Sequence, residues 1–259
     1  MGSLVTSDGI RIHYQVSGVG SPPMLLVHGW CSQLNHWDAV TSHFAAGQRV
    51  VAVDRRGHGR SEVATAGYAA TRQADDLAEV MAAEGIEDAV VVAHAGATPA
   101  TLELAAGRPD LVAAVVIVDG RLGPRATLDA AGGGTDSGLG RLIESLRAPA
   151  GDETREALYR GFFRTAGPEA DRVVADAGAT PMAVAIADLQ GLAVDTFALA
   201  ARVEQPVLWV SAGEGHGAIP TEHFADVRMV PIDDCGHFPQ VEAPRALNVA
   251  IEDFVAHLI

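Results

Sequence analysis

Residues 89–93 form a short apolar run, Ala89-Val90-Val91-Val92-Ala93, which passes through a turn of small residues, His94-Ala95-Gly96-Ala97, into a helical stretch at 99–106. Such a run is short for a buried helix, and its lack of polar alternation requires cover on both faces. Similar runs recur at 24–27, 50–53, 114–118, 206–211 and 228–232, while 10–16 alternates as a half-exposed antiparallel strand does. Helical patterns lie between them, as at 71–84, where Leu77, Val80 and Met81 share one face, and a closing helix is expected over 244–259. Strands alternating with helices predict the α/β class, a mostly parallel sheet with helices on both faces.

The pattern changes after the strand at 114–118. Residues 121–202 hold helical stretches without a convincing strand, and a flexible run is expected at 130–134. This segment reads as a helical cap inserted into a core domain made of 1–120 and 203–259. A chain of 259 residues suits one such domain with an insertion. Aromatics make up only 5% of it against 48% hydrophobic residues, so the core must rest on Ala, Val, Leu and Ile. No internal repeat is present.

Net charge is −15 and all 18 basic residues are arginine. An acidic surface excludes nucleic acid and anionic membrane as expected partners, because phosphate binding needs a basic face. The absence of lysine reads as the mark of a GC-rich genome. Cys31 and Cys235 have no metal-ligand spacing, and a structural disulfide between them is not expected. No signal segment or membrane-length apolar run is visible, so a cytoplasmic location is expected. Met1-Gly2-Ser3 reads equally as an expression remnant or as native sequence. A homodimer is left open.

Four motifs carry the chemistry. The elbow Ala93-His94-Ala95-Gly96-Ala97 has the form small-x-nucleophile-x-small, in which small flanks relieve crowding around a residue on a strained turn. Its apex is Ala95, and counting back from Arg108-Pro109-Asp110 gives the same position. His28-Gly29-Trp30 follows the strand at 24–27, and Asp54-Arg55-Arg56-Gly57-His58-Gly59-Arg60-Ser61 follows the strand at 50–53. Asp233-Asp234-Cys235-Gly236-His237-Phe238-Pro239 with Glu242-Ala243-Pro244 closes the series.

In this order, over nearly its whole length, the chain resembles the α/β-hydrolase superfamily. The resemblance implies an eight-stranded sheet with a helical cap, His237 as general base, and Trp30 and Gly96 as the oxyanion-hole amides. Gly29, Cys31 and His216 are the implied substrate-binding residues, and no metal or organic cofactor is implied. The acid has two candidates. The usual late turn reads Gly213-Glu214-Gly215-His216, with histidine in the aspartate's place, whereas Val118-Asp119-Gly120 offers a carboxylate at an earlier strand end. Asp119 is the better fit, as in the similar fungal zearalenone lactonases and cofactor-independent quinoline-type dioxygenases. Gly29-Trp30-Cys31 and His237-Phe238-Pro239 also resemble the dioxygenases. His94 reads as structural, His58 carries no assigned chemistry, and Arg141, Arg155 and Arg160 read as solvated.

Alanine at the apex leaves three readings. Ala95 replaces a parental serine in an ester or lactone hydrolase inactivated by substitution; a His237–Asp119 dyad serves a cofactor-independent dioxygenase; or the chain binds a ligand without turnover. With an Ala/Leu/Val-rich cap and no evident charge clamp, the expected substrate is a small, neutral, largely apolar ester or lactone. A pair of arginines lining the pocket would argue against that neutrality.

Overall fold

The computed structural model describes residues 1–126, 133–134, 137–213 and 221–258. Among these, eight strands form one sheet: β1 (Gly2–Val5), β2 (Arg11–Ser17), β3 (Met24–Val27), β4 (Val50–Val53), β5 (Ala89–His94), β6 (Val112–Val118), β7 (Val207–Ala212) and β8 (Val227–Ile232). Their order is β1-β2-β4-β3-β5-β6-β7-β8. β2 runs antiparallel to both β1 and β4, and every later pairing is parallel.

The side-chain period of two explains why the central strands are apolar throughout. Leu25, Val27, Val51, Val53, Val91 and Ala93 pack on one face with Leu77, Val80 and Met81 of α2 (Ala70–Glu84) and Leu102 and Leu104 of α3 (Thr98–Gly107). Met24, Leu26, Val50, Ala52, Val90 and Val92 fill the other, with Val40 and Phe44 of α1 (Asp38–Phe44) and Leu247, Ile251 and Phe254 of α10 (Pro244–Val255), which follows the single turn α9 (Pro239–Glu242). Each fully buried Val, Leu or Ile contributes roughly 1.5–3 kcal/mol. From β3 the sheet grows one way to β4 and the other way to β5. The carboxyl ends of β3 and β5 therefore flank the crevice where open α/β sheets bind ligands.

Among the described residues, five helices lie between β6 and β7: α4 (Gly138–Arg147), α5 (Gly151–Gly161), α6 (Pro168–Ala179), α7 (Met182–Gly191) and α8 (Thr196–Ala200). Ser137 caps the first of them by accepting from the Gly140 N–H at 2.9 Å. The apolar faces of α4, α5, α6 and α7 share one cluster, which also takes in Trp30, Cys31 and Phe238 from the sheet domain, whereas Leu199 and Ala200 of α8 join the core beneath the sheet. Polar ties reinforce it. Arg55, on the loop after β4, bonds Asp188 of α7 at 2.6 Å, and the Trp30 indole N–H donates to the Ala185 carbonyl at 2.8 Å. Among the described residues, no helix is long and apolar enough to cross a membrane.

Gly2 and Ser3 lie within β1, where a Cβ on Gly2 would fall 2.5 Å from the Tyr14 ring. One sequence expectation changes here. Arg155 is buried rather than solvated. It donates to the Thr180 carbonyl at 2.6 Å, to Gly178 at 3.1 Å and to Asp152 at 2.8 Å, tying α5 to the end of α6. Arg160 is exposed, as expected, between Glu156 and Asp171. The expected flexible run at 130–134 lies mostly outside the described residues, as do Glu214 and His216.

Candidate active site

At the end of β5 the backbone of Ala95 takes φ +44°, a conformation that costs a residue with a Cβ about 1–3 kcal/mol unless its surroundings enforce it. A short 3-10 turn, Ala95–Ala97, follows and leads directly into α3. The Thr98 hydroxyl donates to the Ala95 carbonyl at 2.7 Å and fixes the turn. Gly29 approaches so closely that a Cβ there would meet His94 Nδ1 at 2.8 Å, and one on Gly96 would meet the Trp30 amide nitrogen at 3.0 Å. The loops after β3 and β5 are thus pressed together at the elbow.

His237 comes from the loop after β8, and its placement is over-determined. Its N–H donates to the Phe162 carbonyl at 2.7 Å, its carbonyl accepts from His94 Nε2 at 2.7 Å, and its ring lies 4.6 Å from that of Phe162. Nδ1 donates to Asp119 Oδ2 at 2.5 Å, and the tautomer that this bond selects carries its lone pair on Nε2. Asp119 directly follows β6 with φ +47°, and its N–H donates to the Val210 carbonyl at 2.8 Å. Oδ1 accepts the Ala212 N–H at 3.1 Å. The side chain is buried, so the carboxylate is oriented from both oxygens.

His94 lines the cavity and is fixed by its bond to the His237 carbonyl. Burial, with the neighbouring His237 ring, holds its imidazole well below the usual range, so it stays neutral. His28 is similarly locked: Nδ1 donates to the Gly29 carbonyl at 2.8 Å, Nε2 accepts from the Arg55 N–H at 2.9 Å, and burial pushes its pKa far down. The Asp54 carboxylate accepts from Leu34 and Arg60 amides at 2.8 and 3.0 Å, which makes the Gly57-His58-Gly59 turn scaffold.

A cavity of about 820 Å³ opens over the elbow. Trp30, Ala95, Gly96, Asp119 and His237 all line it, so five residues singled out in the sequence share one wall system. Cys235 lines it too, its thiol raised to about 11 by burial. Gly29 and Cys31 are not among the lining residues. Gly29 packs against His94 and Ala95, and Cys31 is fully buried with its thiol raised to about 12. Both cysteines are free. The lining also includes residues without local sequence signal: Phe162, Phe163 and Tyr159 of the inserted helices and, where no charge clamp was evident in the sequence, Arg121 and Arg164. Among the described residues no cluster of three or more His, Cys, Asp or Glu is disposed to hold a metal ion.

The comparisons with known proteins agree with this architecture. A bifunctional esterase/perhydrolase of Acinetobacter calcoaceticus is 42% identical over 96 residues, which span 36% of this chain and 35% of that protein. A 2-heptyl-3-hydroxy-4-quinolone dioxygenase of Rhodococcus erythropolis is 34% identical over 108 residues, 40% of each chain. Both matches cover less than half of the relative's own length. The enol-lactonase structure from Burkholderia xenovorans superposes with a TM-score of 0.84 at 19% identity, over 98% of this chain and 100% of that one, a likeness of fold. The family model of the alpha/beta hydrolase fold matches residues 22–244, from before β3 to the start of α10 and across elbow, insertion and histidine loop alike. With that match the elbow, the histidine loop and the strand order find a common origin: the chain belongs to the alpha/beta hydrolase fold family.

Proposed function

We propose that the cavity is the active site of an ester or lactone hydrolase in which Ala95 stands where a parent enzyme carries a serine. The observation that carries this reading is the 2.5 Å contact of His237 Nδ1 with Asp119 Oδ2, in a cavity wall shared with the strained apex Ala95. A base oriented by a buried carboxylate beside a strained turn serves covalent acyl transfer. With a hydroxyl at position 95, its oxygen attacks the carbonyl carbon while its proton passes to His237 Nε2. Asp119 stabilises the resulting imidazolium, and the Trp30 and Gly96 amides receive the oxyanion. Collapse expels the alcohol, protonated by His237, and water then releases the acid by the reverse relay. Alanine offers no attacking atom, so this chain holds the carbonyl compound without forming an acyl-enzyme at position 95. The inserted helices act as the cap, and their Leu and Phe side chains receive the substrate's apolar body.

The test is Ala95→Ser assayed on a panel of aryl esters and lactones. Hydrolysis that appears only with the serine, and is lost again when His237→Asn is added, supports the reading; an inactive Ala95→Ser protein with intact fold counts against it. A second reading has its own observation, the dyad present without a nucleophile together with similarity to a dioxygenase. There His237 removes a proton from an acidic aromatic substrate, and the carbanion reacts with dioxygen. Turnover by the alanine-containing chain in air that stops under anaerobic conditions would favour it.

A further inference from the structure

We propose that the ligand of this site carries a carboxylate, held by Arg121 while its ester or lactone carbonyl lies at the elbow. This rests on the hydrolase reading above and replaces the neutral substrate expected from the sequence with an anionic one.

Arg121 is a cavity-lining cation on a fixed backbone. It lies two peptide steps beyond Asp119, so its Cα stands within about 7.6 Å of the Asp119 Cα. Between them Gly120 is packed so tightly that a Cβ would fall 2.4 Å from both Ile117 Cγ2 and Thr98 Oγ1. On the far side, the Gly123 N–H donates to the Thr196 hydroxyl at 2.8 Å and the Thr196 N–H returns a bond to the Gly123 carbonyl at 3.0 Å. The segment bearing Arg121 is therefore clamped at both ends, and only the side chain is free to adjust to a ligand.

The charge balance is local. The chain carries 33 acidic and 18 basic residues, yet Arg121 has no carboxylate partner among the described residues. The Asp119 oxygens serve His237 and the Ala212 N–H. Arg164, the second cation in the lining, is already engaged, with Nη1 on the Asp233 carbonyl at 3.1 Å and Nη2 3.8 Å from Asp234. A net charge of −15 repels anions at long range, so a site for one needs a cation at contact distance. A guanidinium meets a carboxylate through two parallel N–H bonds, a geometry that a neutral apolar ligand leaves unused.

The experiment uses a matched pair of esters, nitrophenyl hexanoate and mono-nitrophenyl adipate, which differ at the far end of the acyl chain by a methyl against a carboxylate. In Ala95→Ser, kcat/KM is expected to favour the adipate, and adding Arg121→Gln is expected to cut the adipate-to-hexanoate ratio by about 10–100-fold, mainly through KM. Arg160→Gln, an exposed arginine outside the cavity, serves as control and leaves the ratio as it was. In parallel, calorimetry on the unaltered chain compares monomethyl adipate with methyl hexanoate. Tighter binding of the adipate that Arg121→Gln abolishes supports the anion site even if Ala95→Ser hydrolyses nothing, in which case only the hydrolase reading fails. Hydrolysis of both esters with a ratio that Arg121→Gln does not change overturns the anion site and leaves the hydrolase reading standing.

Discussion

His237 Nδ1 lies 2.5 Å from Asp119 Oδ2 across 118 residues of chain, joining the loop after β8 to the end of β6. The carboxylate fixes the tautomer, so that Nε2 is the proton acceptor. Asp119→Asn in the Ala95→Ser background keeps the shape and reverses that polarity. Turnover is expected to fall on the order of 10³–10⁴-fold with a small change in KM. Steady-state kinetics at saturating ester check it, with circular dichroism as the control for folding.

The Tyr159 hydroxyl, on α5, donates to the carbonyl of Trp30, next to Cys31 at φ +45°. This bond fixes the loop that carries the proposed oxyanion donor. Tyr159→Phe leaves that buried carbonyl without its donor and is expected to cost about 1–3 kcal/mol of stability. In the Ala95→Ser background it should lower kcat more than it raises KM. Urea denaturation and ester kinetics read the two effects separately.

Asp188 pins α7 to the sheet domain through Arg55, and both side chains are buried. Asp188→Ala leaves the guanidinium buried without its counter-charge, with an expected loss of about 3–5 kcal/mol. Chemical denaturation of the variant tests this, and a shift under 1 kcal/mol would show the pair to be dispensable.

Acid should weaken the fold before the carboxylates titrate. Burial holds His28, His36, His58 and His94 below their usual range, so each is neutral in the native chain. The unfolded chain takes up these protons below about pH 6.5. Their stabilising contribution is therefore complete above that pH and is lost as pH falls towards the depressed native values. Each histidine adds up to about 1.4 kcal/mol per pH unit of slope. The lowered carboxyls Asp8, Glu79 and Asp176 act only at more acidic pH. Melting temperatures should therefore decline between pH 6.5 and 5; a flat profile there would contradict the neutral assignments.

What the sequence made legible follows burial. The strands at 24–27 and 50–53 have the boundaries expected of them because runs buried on both faces end where polar or glycine residues begin. β1 escaped notice: Gly2–Val5 is a four-residue edge strand, exposed at alternate positions and led by a glycine. The elbow, Trp30, Asp119 and His237 could be read because each sits at a strand end or in a short motif that topology sends to one side of the sheet. Arg121, Arg155, Arg164 and Phe162 could not. Whether an arginine in a helical insertion faces solvent, a carbonyl or a cavity is decided by how helices pack, and no spacing in the chain encodes that.

The central claim is that one oxygen atom separates this site from covalent catalysis, and a fluorophosphonate probe tests it without knowledge of the natural ester. Labelling followed by intact mass and peptide mapping should show about one adduct per chain at position 95 of Ala95→Ser, none on the unaltered chain, and near-complete loss of labelling when His237→Asn is added. A folded Ala95→Ser protein that remains unlabelled, or an unaltered chain that labels equally well, would contradict the account.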